Sequence, residues 1–473
     1  MAQIVVIGGG IAGLSTGLLL AADGHEVTVL ERDPAPPPPA ADAAWDSWDR
    51  RGVNQFRMIH YFLPRFRQIV EAELPDVADA LDADGVLRFN PVMSAPDFVT
   101  GGYQDGDERF EAMTGRRPMV EAAFARVADA VPGLTVRRGA AVRGLLSGPE
   151  VVPGVPHVVG VVTEGGDELR ADLVVDVSGR RSALPRLLGD IGARRPVEER
   201  EDSGFVYFGR YYRSPSGELP VAMGAPLQHY ESFSILSLPA DNGTWGMGLV
   251  VSAGDAALRP ARDVATWEAI VSACPLVAHW LDGEPLTGVD VMAKIEDRHR
   301  SFVVDGVPVA TGVVAVADSW ACTNPSVGRG ASIGLVHAQA LRDLVRRDGV
   351  GDPGSFALAF AEATEQTVEP LYRYTLAFDR HRLAEIDAQI AGVTYETDDP
   401  AYALDLDLQA TASKDPEIFR AVVEVRSLLA DIDEVLSRPG FREKVESLAP
   451  SGPPDLPPGP ARAELLELVQ AAR

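Results

Sequence analysis

The stretch QIVVIGGGIAGLSTGLLLAADGHEVTVLER, residues 3–32, constrains this chain more than any other. It reads as a buried strand, a glycine loop, a helix, a second strand and an acid. Gly8, Gly10 and Gly13 lie between strand and helix, the setting in which G-x-G-x-x-G binds a dinucleotide. Gly8 permits the tight turn. Gly10 lets a pyrophosphate approach the helix N-terminus at Ile11 and Ala12, whose amide groups have no helical partner. Gly13 lets helix and strand pack closely. Glu31, beside Arg32, stands 18 residues after Gly13, where a carboxylate holds a ribose 2′-OH and disfavours a 2′-phosphate. The opening therefore implies NAD or FAD and leaves the choice between them open.

Composition narrows the remaining classes. The 473 residues suit two or three domains. A formal charge of 43 − 69 = −26 argues against nucleic acid or an anionic membrane as partner. Two cysteines, Cys274 and Cys322, make no zinc or redox spacing, and no metal cluster is expected. A reduced, cytoplasmic protein is the expectation. The first strand starts at Gln3, so no signal peptide is expected. No apolar run reaches the ~18 residues of a membrane span.

Further along, residues 33–52 hold a proline run and are expected to be irregular. Helical periodicity is expected at 56–74 and 119–131, and short strands at 135–138, 158–163 and 173–177. From about Ser203 the pattern turns aromatic and β-branched. Here ADNG separates two strand-like runs, a hairpin signal. This predicts an antiparallel sheet inserted into an α/β unit. The parallel style returns near Pro308. The tail from Pro353 is expected to be mostly helical, with a proline-rich break at 450–460.

The segment GVVAVADSWACTNPSVGRGASIGLVHAQAL, residues 312–341, resolves the cofactor. An apolar strand ends at Ala317-Asp318, and after Pro325 the pair Gly328 and Gly330 opens a helix at Ala331. An acid at a strand end beside such a helix suits a polyol chain and an electron-rich ring edge, both of which a flavin supplies. The segment resembles the second FAD motif of the para-hydroxybenzoate hydroxylase type of flavoprotein monooxygenase, with Ala317 where that family has glycine. The turn at Asp176, Ser178, Gly179 and Arg180 resembles the D-x-SGR branch of that family, with polyketide epoxidases, halogenase-like and prenyl-reductase-like flavoproteins. In that branch Arg57, within RRGVNQFRMIH, matches an arginine along the FAD, with Arg51 second. Arg117 matches another FAD-contacting arginine. Trp45 and Trp48 resemble a halogenase tryptophan pair, but the context differs and no lysine precedes Lys294. An anchoring role for these tryptophans is the preferred reading.

The expected architecture is α/β. A Rossmann-like, glutathione-reductase-type FAD domain (1–190 and 305–350) carries an inserted antiparallel substrate domain (195–304, with part of 75–100). A helical C-terminal region (353–473) follows. The resemblance implies a monooxygenase, a hydroxylase or epoxidase acting through a flavin C4a-hydroperoxide on a small or medium organic molecule of secondary-metabolite type. O₂ would be co-substrate. NAD(P)H would supply electrons directly or through a flavin reductase. Two alternatives stand: a flavin-dependent reductase or dehydrogenase, and a non-catalytic flavin-binding protein. No catalytic residue is assigned with certainty. Pocket candidates are Trp320, Pro325, His60, Tyr207, Tyr211, Phe233 and Trp245, of which about half should miss the pocket because alternation along a strand faces them away.

Overall fold

Three parallel strands in one register set the architecture. The computed structural model describes residues 1–325, 327–449 and 456–472. The elements used below are β1 (Gln3–Ile7), α1 (Ile11–Ala22), β2 (Glu26–Glu31), α2 (Ala41–Ser47), α3 (Arg117–Ala130), β3 (Leu134–Arg138) and β4 (Leu173–Asp176). They continue with β5 (Phe205–Arg213), β6 (Leu227–Tyr230), β7 (Phe233–Pro239), β8 (Thr244–Ser252), β9 (Val313–Ala315), α4 (Gly330–Asp348), α5 (Glu369–Ala391) and α6 (Pro416–Arg426). The first sheet is parallel, in the order β9-β4-β1-β2-β3. Its strands are near-continuous apolar runs because both faces are covered. One face packs against α1, α3 and α4, and the other contributes to a second core that includes the strands Val142–Val152 and Val155–Thr163.

The second sheet is antiparallel, with β6-β7-β8-β5 in order. The ADNG segment is the β7–β8 turn, and Asn242 and Gly243 both take left-handed backbone (φ +53° and +69°). A ribbon of Val197–Asp202 paired with Glu296–Ser301 carries the chain into this sheet and back. Alternation on β5 sends Phe208 and Tyr212 to a core against the helix Val264–Ser272. Tyr207 faces the other way.

Among the described residues the tail is mostly helical. Three of its helices start on Asp-Pro: Asp352, Asp399 and Asp415 each accept from the first-turn amides while proline occupies the first helical position. The predicted break at 450–460 falls partly outside the described residues.

Two expectations need correction. Residues 33–52 are not wholly irregular: past the prolines, the alanine-rich ADAAWDS forms α2. The predicted helix over 56–74 is helical only at Pro64–Glu73. Pro64 cannot sit inside a helix and instead starts one, while Tyr61–Phe62 pairs with Ala112–Thr114. Trp45 and Trp48 are buried anchors, Trp45 against Tyr211 and Trp48 against Phe56.

A buried ion pair ties the two sheets together. The β7–β8 turn residue Asp241 accepts from the Arg116 amide (2.6 Å) and from its guanidinium at Nε (3.0 Å) and Nη2 (2.6 Å); both side chains are fully buried. Arg116 also meets the exposed Asp42 at 2.7 Å. Asp241→Ala strands a buried cation and is expected to cost about 3 kcal/mol or more. Asp42→Ala should cost under about 1 kcal/mol. Urea unfolding of the two variants checks the contrast.

Candidate functional site: a cavity joining two glycine-led helix starts

Because Ile7 pairs with Asp176 and Asp176 with Ala315, three strands end side by side. Their turns open into one cavity of about 1060 Å³, lined by Gly8–Gly13, Asp176–Arg181 and Ala317–Asp318, with Pro325, Val327, Gly328, Gly330 and Ala331.

The first turn behaves as its glycines require. Gly8 has φ +108°, and a Cβ there would meet Val177 O at 2.5 Å. A Cβ on Gly13 would lie 1.9 Å from Gly8 O, so helix and strand pack too closely for any side chain. Gly10 differs: it caps α1 with no side-chain partner, and a Cβ there would meet nothing within 4 Å. Gly330 repeats this at the start of α4, again open and again without a side-chain cap. Among the described residues neither helix N-terminus has a side-chain cap, so both offer amides to the cavity.

The acids divide into two kinds. Glu31 Oε2 accepts from Gly9 N (2.8 Å) and from Arg50 Nη2 (2.7 Å), and Oε1 accepts from Asp33 N (2.8 Å). With two donors on Oε2 and one on Oε1, Oε1 keeps further acceptor capacity. Asp176 is buried and braces its own turn by accepting from Ser178 N (3.0 Å) and Ser182 Oγ. Asp318 makes no hydrogen bond with the described residues although it lines the cavity. Burial raises its pKa, against the pull of Arg180 and Arg117. An unpaired carboxyl here suits a hydroxylated chain. The open helix starts suit a pyrophosphate and a flavin edge. The residues present thus fit FAD.

Arg57 is the expectation that fails. Its guanidinium donates to the carbonyls of Trp45 and Trp48 and lies 5.1 Å over the Trp45 ring, off the cavity wall. Arg51 is also off the wall, its side chain 90% exposed. The arginine that reaches the first turn is Arg50, which sequence reasoning missed. It binds Glu31, Asp33 (3.1 Å) and Glu121 (3.0 Å) and contacts Gly9 O. Only the cluster of acids that folding gathers around it marks it out.

Arg117 lines the cavity, donating to Glu121 (2.7 Å) and to His60 Nε2 (3.0 Å). His60 Nδ1–H then donates to Met58 O (2.8 Å), which fixes a neutral tautomer. Burial and the Arg117 charge lower its pKa to about 3.

Beyond the turns the cavity becomes an apolar chamber. Tyr207, Leu236, Val250 and Met292 come from the antiparallel sheet, and Phe89, Pro91 and Val99 from the 75–100 region. Phe419, Val422 and Val423 come from α6. Of the seven pocket candidates, His60, Tyr207 and Pro325 line it. Phe233 and Trp245 face the opposite core, Trp245 donating to Trp280 O. Tyr211 lies under Trp45, and Trp320 packs between His299 and His337. The register Tyr207↔Val250 explains this, since Trp245 sits an odd number of residues from Val250 and faces the other side. The contribution of α6 was not foreseen; no sequence signal marks where a tail helix docks.

Residues 3–91 match the FAD dependent oxidoreductase family. Protein Rv3254 of Mycobacterium tuberculosis is 28% identical, over 78% of this chain and 78% of its own length. Among solved structures, PqsL of Pseudomonas aeruginosa, a probable FAD-dependent monooxygenase, is similar at TM-score 0.58 and 16% identity, over 83% of this chain and 98% of PqsL. A 2-methyl-3-hydroxypyridine-5-carboxylic acid oxygenase is similar at 0.57 and 16%, over 82% and 93%. The Diels-Alderase PyrE3 is similar at 0.55 and 17%, over 90% and 80%. The fold is the one these solved structures share. No described helix is long and apolar enough to cross a membrane, and both cysteines are buried and free.

Gly10→Ala and Gly330→Ala should leave the unfolding midpoint of the apoprotein nearly unchanged while weakening FAD binding, because each new Cβ enters only ligand space. Gly13→Ala should lower both, since it overlaps backbone. Thermal melts with and without FAD separate the two kinds. His337, buried against Thr364 and the Ala317 amide, also has its pKa lowered to about 3. A histidine held neutral in the fold is protonated in the unfolded chain once pH drops below ~6.5. Stability should therefore fall from about pH 6.5 toward 3, by at most ~1.4 kcal/mol per pH unit for each such histidine. Replacing His337 with Gln should flatten that slope in urea titrations at stepped pH.

Proposed function

We propose that the protein is an FAD-dependent monooxygenase, a hydroxylase or epoxidase, acting on a small or medium organic molecule with a large apolar surface. The observation that carries this reading is the continuity of one cavity, from both glycine-led helix starts into an apolar chamber walled by the antiparallel sheet. The similarity to a probable monooxygenase and an oxygenase supports it. That to a Diels-Alderase means the fold alone does not decide the chemistry.

In this reading the amides at Ile11 and Ala12 hold the pyrophosphate, and Glu31, braced by Arg50, holds the adenosine ribose. Asp318 takes the ribityl hydroxyls. The Gly330 and Ala331 amides face the pyrimidine edge of the ring, where negative charge gathers on reduction. Bound FAD supplies the two-electron chemistry that splits O₂, one oxygen atom going to substrate and one to water with NAD(P)H as the ultimate donor. The chain needs no nucleophile for this. Its work is to hold the cofactor, keep water out and orient the substrate. Tyr207 presents a phenol at the chamber wall, donating to Asn324 Oδ1 (2.6 Å). His60, held neutral between Arg117 and Met58, positions Arg117 and has no proton to spare near pH 7.

The test is a visible spectrum of the protein loaded with FAD, anaerobic titration with NADH and NADPH, then turnover under ¹⁸O₂. The reading expects reduction by one of the two, or by a partner reductase, and one labelled atom in product. Product formed without O₂ supports the reductase reading. A flavin that nothing reduces supports a binding protein.

A further inference from the structure

The register of the antiparallel sheet lays one row of residues along the chamber wall. Met292 pairs with Tyr207, Tyr207 with Val250, Val250 with Ser234 and Ser234 with His229. Paired residues share a face of the sheet, so the row is continuous. Met292, Tyr207, Val250 and His229 all line the cavity. Alternation sends their chain neighbours Phe208, Tyr230 and Phe233 into the opposite core. Three strand spacings separate Tyr207 from His229, about 14 Å. A phenol thus marks one end of the wall and an imidazole the other, with apolar Leu227, Leu236 and Val250 around them.

The protons of His229 follow from its contacts. Its Nδ1 lies 2.9 Å from Ser234 Oγ. Arg382 Nη2 donates to the same Oγ (3.3 Å), and a guanidinium draws the lone pairs of a hydroxyl toward itself and turns its proton away. The Ser234 hydroxyl therefore donates to His229 Nδ1, and Nε2 carries the ring proton; the tautomer is assigned from this network. The ring stays uncharged, because burial and then Arg382 and Arg426 hold its pKa well below the usual value. Phe378 lies tilted against it, 6.4 Å between ring centroids. Among the described residues Nε2 has no hydrogen-bond partner. Gln409 and Arg426, which line the same end, are engaged. Gln409 donates to Asp405 (2.6 Å), while Arg426 is ion-paired with Asp405 (3.6 Å) and lies 4.7 Å over Phe378. A neutral N–H in an apolar wall suits an uncharged oxygen acceptor, and a molecule that cannot accept leaves that donor unmet.

We propose that the chamber takes a neutral, elongated apolar molecule with a carbonyl group at one end, the carbonyl oxygen accepting from His229 Nε2–H. His229 is then the residue that selects a ketone over a hydrocarbon of the same shape. Which end of the molecule faces the flavin rests on the FAD reading above; the contact with His229 does not.

The probes are 2-acetonaphthone and 2-ethylnaphthalene, alike in shape and different by one oxygen acceptor, bound to FAD-loaded protein in equilibrium dialysis. Their water solubilities differ, so the readout is the ratio of ketone to hydrocarbon affinity, compared between variants. His229→Phe should lower that ratio about fivefold or more, chiefly by weakening the ketone. His229→Gln, which keeps an N–H donor, should retain part of it. Added KCl should leave the ratio unchanged, since neither partner is charged. The infrared carbonyl stretch of the bound ketone should lie below its value in hexane, and His229→Phe should abolish that displacement. A ratio unmoved by His229→Phe, a stretch equal to that in hexane, or no binding of the ketone would each overturn the proposal. If His229→Phe does not fold, nitrogen-15 NMR of the unaltered protein decides. One imidazole N–H should then move with the ketone and not with the hydrocarbon, and none moving overturns the proposal equally. Failure of the FAD reading shows separately, as protein that takes up no flavin, because the ratio is also read on apoprotein.

Discussion

Parallel pairing of β9, β4 and β1 in a single register is the constraint on which everything else rests. Strands in this arrangement release their turns at one edge, the ordinary place for a ligand in an open parallel sheet. Sequence positions some three hundred residues apart thus share one cavity. The helices that follow β1 and β9 aim their N-termini into it, and the turn after β4 lies between them. The inserted sheet then serves as a wall, held in place by Asp241 on Arg116.

The turn after β9 carries a cost that shows how tightly it is specified. Ala317 sits at φ +55°, left-handed backbone that an alanine adopts at about 1 kcal/mol or more. The FAD motif that this segment resembles has glycine here, and alanine keeps the same left-handed backbone. The Ala317 amide donates to His337 Nδ1 (3.1 Å), and its carbonyl accepts from Trp320 N (2.9 Å). Neighbouring packing holds the strained residue where Asp318 must project.

Much of this was legible in the residues. The two glycine loops, the acids after them and the hairpin at ADNG are local features, with spacing that reports backbone requirements directly. Cavity walls are different. Tyr207 and Trp245 look alike in sequence, and only the cross-strand register sends one inward and the other to a far core. Arg57 and Arg50 are seven residues apart in one irregular segment; which of them reaches the glycine turn depends on where α2 and its tryptophans anchor the loop. The docking of α6 on the chamber depends on tail packing with no periodic or motif signature.

In the proposed function the two glycine loops would hold the two halves of one FAD. Equilibrium titration of apoprotein with FAD, repeated in the presence of ADP and of FMN, tests it most directly. One FAD per chain is predicted, displaced competitively by ADP through the Gly10 loop and by FMN through the Gly330 loop. FAD binding that neither fragment disturbs, or no binding at all, would contradict it.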